Sequence, residues 1–158
     1  AMALASIPPS ADVMNEKPRK TSDFIITRPM RYNILGVAGC FLAILMTLIV
    51  HIKGLPMTEV PTALTAFFTI FVMLQFWNLF NASVFCTNHS VFKDARHAVG
   101  MISVAAIILI GQFIIVEFGG KVFRTVPLTW MQWLYIIGST SIVLWVGEIW
   151  RWIQRLKK

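Results

Sequence analysis

The sequence predicts an all-α integral membrane protein, a four-helix bundle whose neighbouring helices run antiparallel. Of its 158 residues, 57% are hydrophobic and 13% are charged, and the mean hydropathy is +0.72. The charged share is about half that of a soluble domain. Four stretches contain no Asp, Glu, Lys or Arg: residues 32–50, 60–88, 98–116 and 125–147. A helix of about 20 apolar residues crosses the hydrocarbon core, so each stretch is long enough to span it.

The span limits follow from where these stretches meet polar residues. We expect a transmembrane domain over residues 32–158, with spans at 32–51, 60–84, 98–117 and 127–149. The connectors between them are short, which places consecutive helices side by side in opposite directions. The chain has room for one such unit and no second domain.

The basic residues predict the orientation of the bundle. Eleven of the fourteen Lys and Arg lie before the first span, between the second and third, or after the fourth. Because basic residues accumulate on the cytoplasmic side, we expect both termini there. The net charge of +7 is therefore explained by orientation and contact with the lipid bilayer, and we expect no nucleic-acid partner. The three remaining basic residues are Lys53, Lys121 and Arg124.

Residues 1–31 differ in character from the rest of the chain. Residues 1–7 are small and apolar and stop at Pro8-Pro9, and residues 10–27 are polar and charged. Since paired prolines break a helix, we expect residues 1–31 to be the end of a preceding membrane helix plus a cytoplasmic connector. A disordered N-terminus is the alternative.

The second span carries a polar stripe. Gln75, Asn78 and Asn81 fall within an arc of about 120° on a helix that is otherwise apolar. An amide that faces lipid without a partner costs about 1–3 kcal/mol, so the three should point towards other helices or a wet cavity. Amide oxygens can bind a hard cation, which makes these residues candidates for a cation pathway. Interhelical hydrogen bonding is the simpler explanation.

The first span carries a face of small residues, formed by Gly36, Gly39 and Ala43. Small side chains let helix backbones approach closely, so we expect this face to dock on another helix. The alternative is that glycine is simply common in membrane helices.

The sequence contains no pattern that would make this chain an enzyme by itself. It has no P-loop, no paired carboxylates within one span and no nucleophile with a base at a recognised spacing. Cys86 and His89 form a lone Cys-x-x-His, which lacks the second pair of ligands that a structural zinc site needs.

Four segments resemble a known family. They are the run ending in Pro8-Pro9, residues 74–82 with the amide stripe, the Phe118-Gly119-Gly120-Lys121 loop, and Gly147-Glu148. In P-type calcium-transporting ATPases of the plasma-membrane calcium pump type, the first resembles the end of the sixth membrane helix and the second the eighth helix. The third resembles the outward loop after the ninth helix and the fourth the final turn of the tenth. In order and spacing the chain is therefore similar to the C-terminal region of these pumps, membrane helices seven to ten.

The resemblance implies a role as well as a fold. In that family these helices brace the transport core, and an acidic ligand position in two-site calcium pumps aligns with Gln75. Asn78 aligns with an acidic position of sodium-potassium pumps. Both amides replace carboxylates, which puts a second high-affinity cation site in doubt. ATP and Mg²⁺ would bind cytoplasmic domains outside this chain. The partners implied are the other membrane helices, those domains and the transported cation, Ca²⁺.

Two further alternatives follow from the residues. A free-standing four-span accessory or scaffold protein would use the small-residue face to bind other membrane proteins. A membrane enzyme or channel is disfavoured because the spans lack charged pairs. Because no long regulatory tail follows the fourth span in this sequence, we expect a multi-pass protein of a bacterial inner (plasma) membrane.

Overall fold

The computed structural model describes residues 28–84 and 99–156, in which the regular secondary structure is helical, with no strand. This confirms the all-α prediction. The predicted end of a preceding helix, the cytoplasmic connector up to Thr27, and the pair Cys86 and His89 lie outside the described residues. The helices are α1 (Arg28–Lys53), α2 (Val60–Ser83), α3 (Val99–Phe118), α4 (Gly120–Phe123), α5 (Trp130–Thr140) and α6 (Ile142–Leu156).

Within the described ranges, three helices are long and apolar enough to cross a membrane: α1 from Met30 onward, α2 and α3. Helix α2 begins at the predicted residue and ends one residue earlier than predicted, and α3 begins and ends one residue later than predicted. Helix α1 begins at Arg28 instead of Tyr32. The apolar stretch marks only the part of a helix that can lie in the hydrocarbon core, so a helix can begin before that stretch begins. The Arg31 guanidinium lies 5.9 Å from the centre of the Tyr32 ring.

The fourth apolar stretch differs from the predicted single span because it forms two helices that meet at Ser141. Just before this joint, hydroxyl groups bond back to carbonyls of their own helix: Thr140 and Ser139 donate to Ile136, and Ser141 donates to Gly138. Such bonds compete with the regular helical pattern and bend or interrupt helices, particularly beside glycine.

The start of α5 is set by a capping box. The Thr129 hydroxyl accepts from the Gln132 backbone N–H at 3.3 Å, and the Gln132 side chain accepts from the Thr129 backbone N–H at 2.9 Å. This reciprocal pair satisfies two N–H groups that have no helical partner. Helix α5 therefore begins at Trp130, three residues later than predicted.

Helix α2 lies at the centre and packs against α1, α3, α5 and α6. Gln112 of α3 meets Thr69, while Met101 packs near Leu79 and Phe80, so α2 and α3 run in opposite directions. Trp77 of α2 contacts Thr140 of α5, and Asn81, further along α2, contacts Val143 of α6. Helices α5 and α6 therefore run in the same direction as α2. Helix α3 is thus antiparallel to α2 and to the α5–α6 pair. The predicted antiparallel arrangement of α1 and α2 stays a prediction.

The buried core lies where α2, α3 and α5 meet. Phe76 is buried there and makes edge-on contacts with Trp77 and Phe80, with ring centroids 5.0 and 5.3 Å apart. Edge-to-face packing of aromatic rings adds to the dispersion contacts that hold helices together in lipid. The members of this cluster are Met73, Phe76, Ala105, Val116, Leu128, Trp133 and Ile136.

The membrane orientation stays a prediction that thiol labelling can check. In the full-length protein freed of its native cysteines, Thr58→Cys and Lys121→Cys should react with an impermeant maleimide added outside intact cells. Lys93→Cys should react only after permeabilisation, because the charge distribution places it on the cytoplasmic side. The reverse pattern of labelling would show that the orientation is wrong.

Candidate functional site

One face of the central helix α2 is not covered by the described helices. We call this face the amide face. Its five residues, given at the end of this paragraph, lie within an arc of about 80° around the helix axis, at 100° per residue. Gln75 is exposed and Asn78 is half-buried, and the large apolar residues beside them are exposed as well. The amide face consists of Leu64, Phe68, Phe71, Gln75 and Asn78.

The two amides of this face have no hydrogen-bond partner within residues 28–84 and 99–156. In lipid an amide without a partner costs about 1–3 kcal/mol, and two such groups one turn apart double that cost. A protein group, a bound cation or water is therefore needed to satisfy Gln75 and Asn78 when the chain is in the membrane.

Asn81, the third residue of the predicted stripe, is arranged differently. Its Nδ2 donates to the backbone oxygen of Val143 in α6, at 2.8 Å. Its side chain fills the space beside Gly147, where an added Cβ would lie 2.7 Å from the Asn81 Cγ. The structure thus joins Asn81 to α6 and leaves Gln75 and Asn78 on the open face. Whether any of the three serves the cation pathway stays a prediction.

The opposite side of α2 carries buried polar contacts. Thr69, fully buried, accepts a hydrogen bond from Gln112 Nε2 at 3.3 Å. Thr65, also buried, accepts from the Val126 backbone N–H at 3.0 Å, which ties the segment before α5 to α2. Trp77 Nε1 donates to Thr140 Oγ1 at 3.1 Å.

The buried threonines share one bonding pattern. Thr65 and Thr69 each donate to the carbonyl four residues earlier, at 3.0 and 2.8 Å, and Thr140 does the same. Each hydroxyl oxygen is then free to accept from a second element. The sequence analysis missed these residues; the i, i+4 spacing of Thr65 and Thr69 within an apolar helix is the signal that could have found them.

A second polar contact lies near the end of α3. Trp133 is buried, and its Nε1 donates to the Glu117 carboxylate at 3.0 Å. The Phe113 ring lies 5.9 Å from that of Trp133 and 6.2 Å from that of Trp130, which is exposed. The half-buried Glu117 carboxylate thus has a hydrogen-bond donor. The three aromatic rings pack together at the same end of the bundle.

The predicted docking face of α1 carries no helix of the described chain. Gly36, Gly39 and Ala43 are exposed, and a Cβ added at either glycine would meet nothing within 4 Å. Helix α1 contacts α2, and its buried residue Phe41 lies on the opposite side of α1. Docking of Gly36, Gly39 and Ala43 on another helix stays a prediction.

The acidic and metal-ligating side chains of residues 28–84 and 99–156 form no group of three or more that could hold a metal ion. The amide face contributes neutral oxygens only. Because carboxylates carry most of the binding of a hard cation, Gln75 and Asn78 could complete a ligand set but would not form one alone.

Comparison with known proteins shows the family. Residues 1–153 match the family model described as cation transporting ATPase, C-terminus. The chain is 33% identical over 155 residues to probable calcium-transporting ATPase 8, plasma membrane-type, of Oryza sativa subsp. japonica, covering 94% of this chain and 15% of that protein. It is 33% identical over 165 residues to plasma membrane calcium-transporting ATPase 3 of Homo sapiens, covering 94% and 13%.

A third relative, putative calcium-transporting ATPase 11, plasma membrane-type, of Arabidopsis thaliana, is 34% identical over 155 residues, covering 93% of this chain and 15% of the relative. The chain thus spans about 15% of the length of the curated relatives it matches. With its apolar helices it is an integral, multi-pass membrane segment. The chain belongs to the cation-transporting ATPase family and represents the C-terminal membrane region of its members.

Proposed function

We propose that this chain braces the transport core of an ATP-driven calcium pump and presents Gln75 and Asn78 to that core. The observation that carries the proposal is the amide face. Two amides without partners in the described chain lie on the open side of the central helix, and side chains outside this face bond that helix to α3, α5 and α6. The names of the matched relatives supply calcium as the transported ion.

The missing partner of the amide face is best supplied by the pump's other membrane helices. Exposed apolar residues such as Phe68 and Phe71 could face lipid at little cost, whereas Gln75 and Asn78 could not. Neighbouring membrane helices, or a hydrated cation pathway between them, would accommodate the apolar side chains and also give the two amides hydrogen-bond partners. In this arrangement α5 and α6 together make the fourth membrane crossing, beside α1, α2 and α3.

The same proposal assigns the remaining partners. The cytoplasmic domains of the parent protein would bind ATP and Mg²⁺, and this chain would contribute to the cation path only. The match over nearly the whole chain does not favour the free-standing accessory protein. The expected bacterial inner membrane has no support, because the matched relatives are plasma-membrane-type proteins of plants and a mammal.

The test is ATP-dependent ⁴⁵Ca²⁺ uptake into sealed vesicles by the full-length protein. Gln75→Ala and Asn78→Ala should each raise the Ca²⁺ concentration needed for half-maximal uptake. Losing one neutral ligand or one interhelical hydrogen bond removes roughly 0.6–1.5 kcal/mol, which corresponds to about 3- to 12-fold in affinity. Phosphorylation of the enzyme by inorganic phosphate without Ca²⁺ should be preserved.

The matched control is Asn33→Ala, which removes an exposed amide from α1, away from the amide face. It should leave the Ca²⁺ dependence unchanged. If Gln75→Ala and Asn78→Ala lower only the yield of folded protein and leave the Ca²⁺ dependence at the wild-type value, the amide face is structural and has no part in the cation path.

A further inference from the structure

The rotation of α2 about its own axis is fixed by contacts outside the amide face. Three side-chain contacts at different heights connect α2 to other helices, through Thr69, Trp77 and Asn81. Relative to Gln75, these residues lie at about 120°, 200° and 240° around the helix. Contacts spread over that arc resist rotation as well as separation.

The contact of Asn81 is the tightest of the three and depends on one glycine. Val143 and Gly147 are one helical turn apart on α6, and the Asn81 amide lies between them. Its Nδ2 is 2.8 Å from the Val143 oxygen, and a Cβ at position 147 would be 2.9 Å from the same Nδ2 and in overlap with Oδ1. Only a residue without a side chain leaves room for this amide.

We propose that Gly147 is a positioning residue: by making room for Asn81, it lets α6 set the rotation of α2 and so the direction of Gln75 and Asn78. The inference rests on the proposed function of the amide face. Gly147 itself would touch no cation. It lies in the last helix of the chain and acts on the cation path through the rigid body of α2.

The geometry gives the size of the effect. Side-chain atoms lie about 5 Å from a helix axis, so a 1–2 Å displacement of Asn81 that is taken up by the helix, and not by the Asn81 side-chain torsions, rotates α2 by roughly 10–20°. Asn78 is one turn away on the same rigid helix and turns by the same angle. Ligand groups that have to converge on one ion are sensitive to shifts of about 1 Å.

The test uses the full-length protein and four variants: Gly147→Ala, Asn81→Ala, the double variant, and Gly138→Ala. Gly138 is the matched control, because a Cβ there meets nothing within 4 Å. Two quantities are measured: the Ca²⁺ dependence of uptake relative to its maximal rate, and the distance between spin labels at Ala82 of α2 and Leu35 of α1, both exposed. The second quantity reports the rotation of α2 without any cation.

We expect Gly147→Ala to raise the half-saturating Ca²⁺ concentration on the order of fivefold, with little change in maximal rate and a shift of about 2 Å between the labels. In the Asn81→Ala background, adding Gly147→Ala should change neither quantity, because the overlap is gone. Gly138→Ala should behave as wild type.

Three results would overturn the inference. The first is an unchanged label distance in Gly147→Ala, and the second is an effect of this change that persists when Asn81 is alanine. The third is a shifted label distance with an unchanged Ca²⁺ dependence. In the third case the Gln75→Ala and Asn78→Ala variants distinguish the two proposals: if they alter the Ca²⁺ dependence, only the inference fails, and if they do not, the proposed function fails with it.

Discussion

Replacing Met73 by alanine should destabilise the bundle by about 2–5 kcal/mol, the range for removing a fully buried methionine. Met73 is 1% exposed and contributes to the cluster in which α2 meets α3 and α5. Lipid is as apolar as methionine, so the loss comes from dispersion contacts and an unfilled cavity, and the lower half of the range is the better expectation. The midpoint of thermal unfolding, measured by fluorescence-detected size exclusion of the full-length protein, should fall by several degrees.

The control for this change is Met131→Ala, the same substitution at a residue that is 76% exposed on α5. It removes the same atoms from a position with few neighbours, and the unfolding midpoint should stay within about a degree of wild type. Equal losses from Met73→Ala and Met131→Ala would mean that the cluster around Met73 is not the core of the bundle.

Replacing Gly119 by alanine should have the next largest effect. A Cβ there would overlap the Ile115 carbonyl oxygen and lie 3.0 Å from the Phe123 ring. The same oxygen accepts hydrogen bonds from the Gly119 N–H and from the Thr125 hydroxyl, at 3.0 and 2.9 Å. The added methyl group therefore opens the turn that ends α3, at a cost of about 1–3 kcal/mol.

The control is Gly111→Ala, in the middle of α3, where a Cβ meets nothing within 4 Å. Alanine is a better helix former than glycine, so this change should be neutral or stabilise the protein by up to about 1 kcal/mol. The two variants are compared by their unfolding midpoints in detergent. If Gly119→Ala matches Gly111→Ala, the turn tolerates a side chain and the Ile115 carbonyl does not restrict position 119.

The helices that cross the membrane could be predicted from the sequence because lipid imposes two strict rules. Charges are excluded from the hydrocarbon core, and every backbone polar group has to be bonded within the helix. Charge-free stretches of the right length therefore indicate where α2 and α3 lie in the chain. The joint at Ser141 could not be predicted from hydropathy. The hydropathy of a serine or threonine is the same whether its hydroxyl bonds to its own helix or to another.

The candidate site was predictable only up to the level of a helix face. Periodicity placed Gln75, Asn78 and Asn81 on one side of α2, but it cannot tell which neighbour that side meets. The difference between Asn81 and the other two depends on Gly147, 66 positions further along the chain. A single glycine in an apolar run gives no sign that it was selected to fit one amide.

The threonines at the helix contacts have a consequence for how the protein is made. Thr65, Thr69 and Thr140 each donate to a carbonyl of their own helix. Each helix can thus leave the translocon and enter the bilayer with these hydroxyl protons already bonded, before any neighbour has arrived. When the helices later meet, the same oxygens accept from Val126, Gln112 and Trp77, so assembly adds hydrogen bonds without first breaking any. Insertion and assembly can therefore follow one another as separate steps.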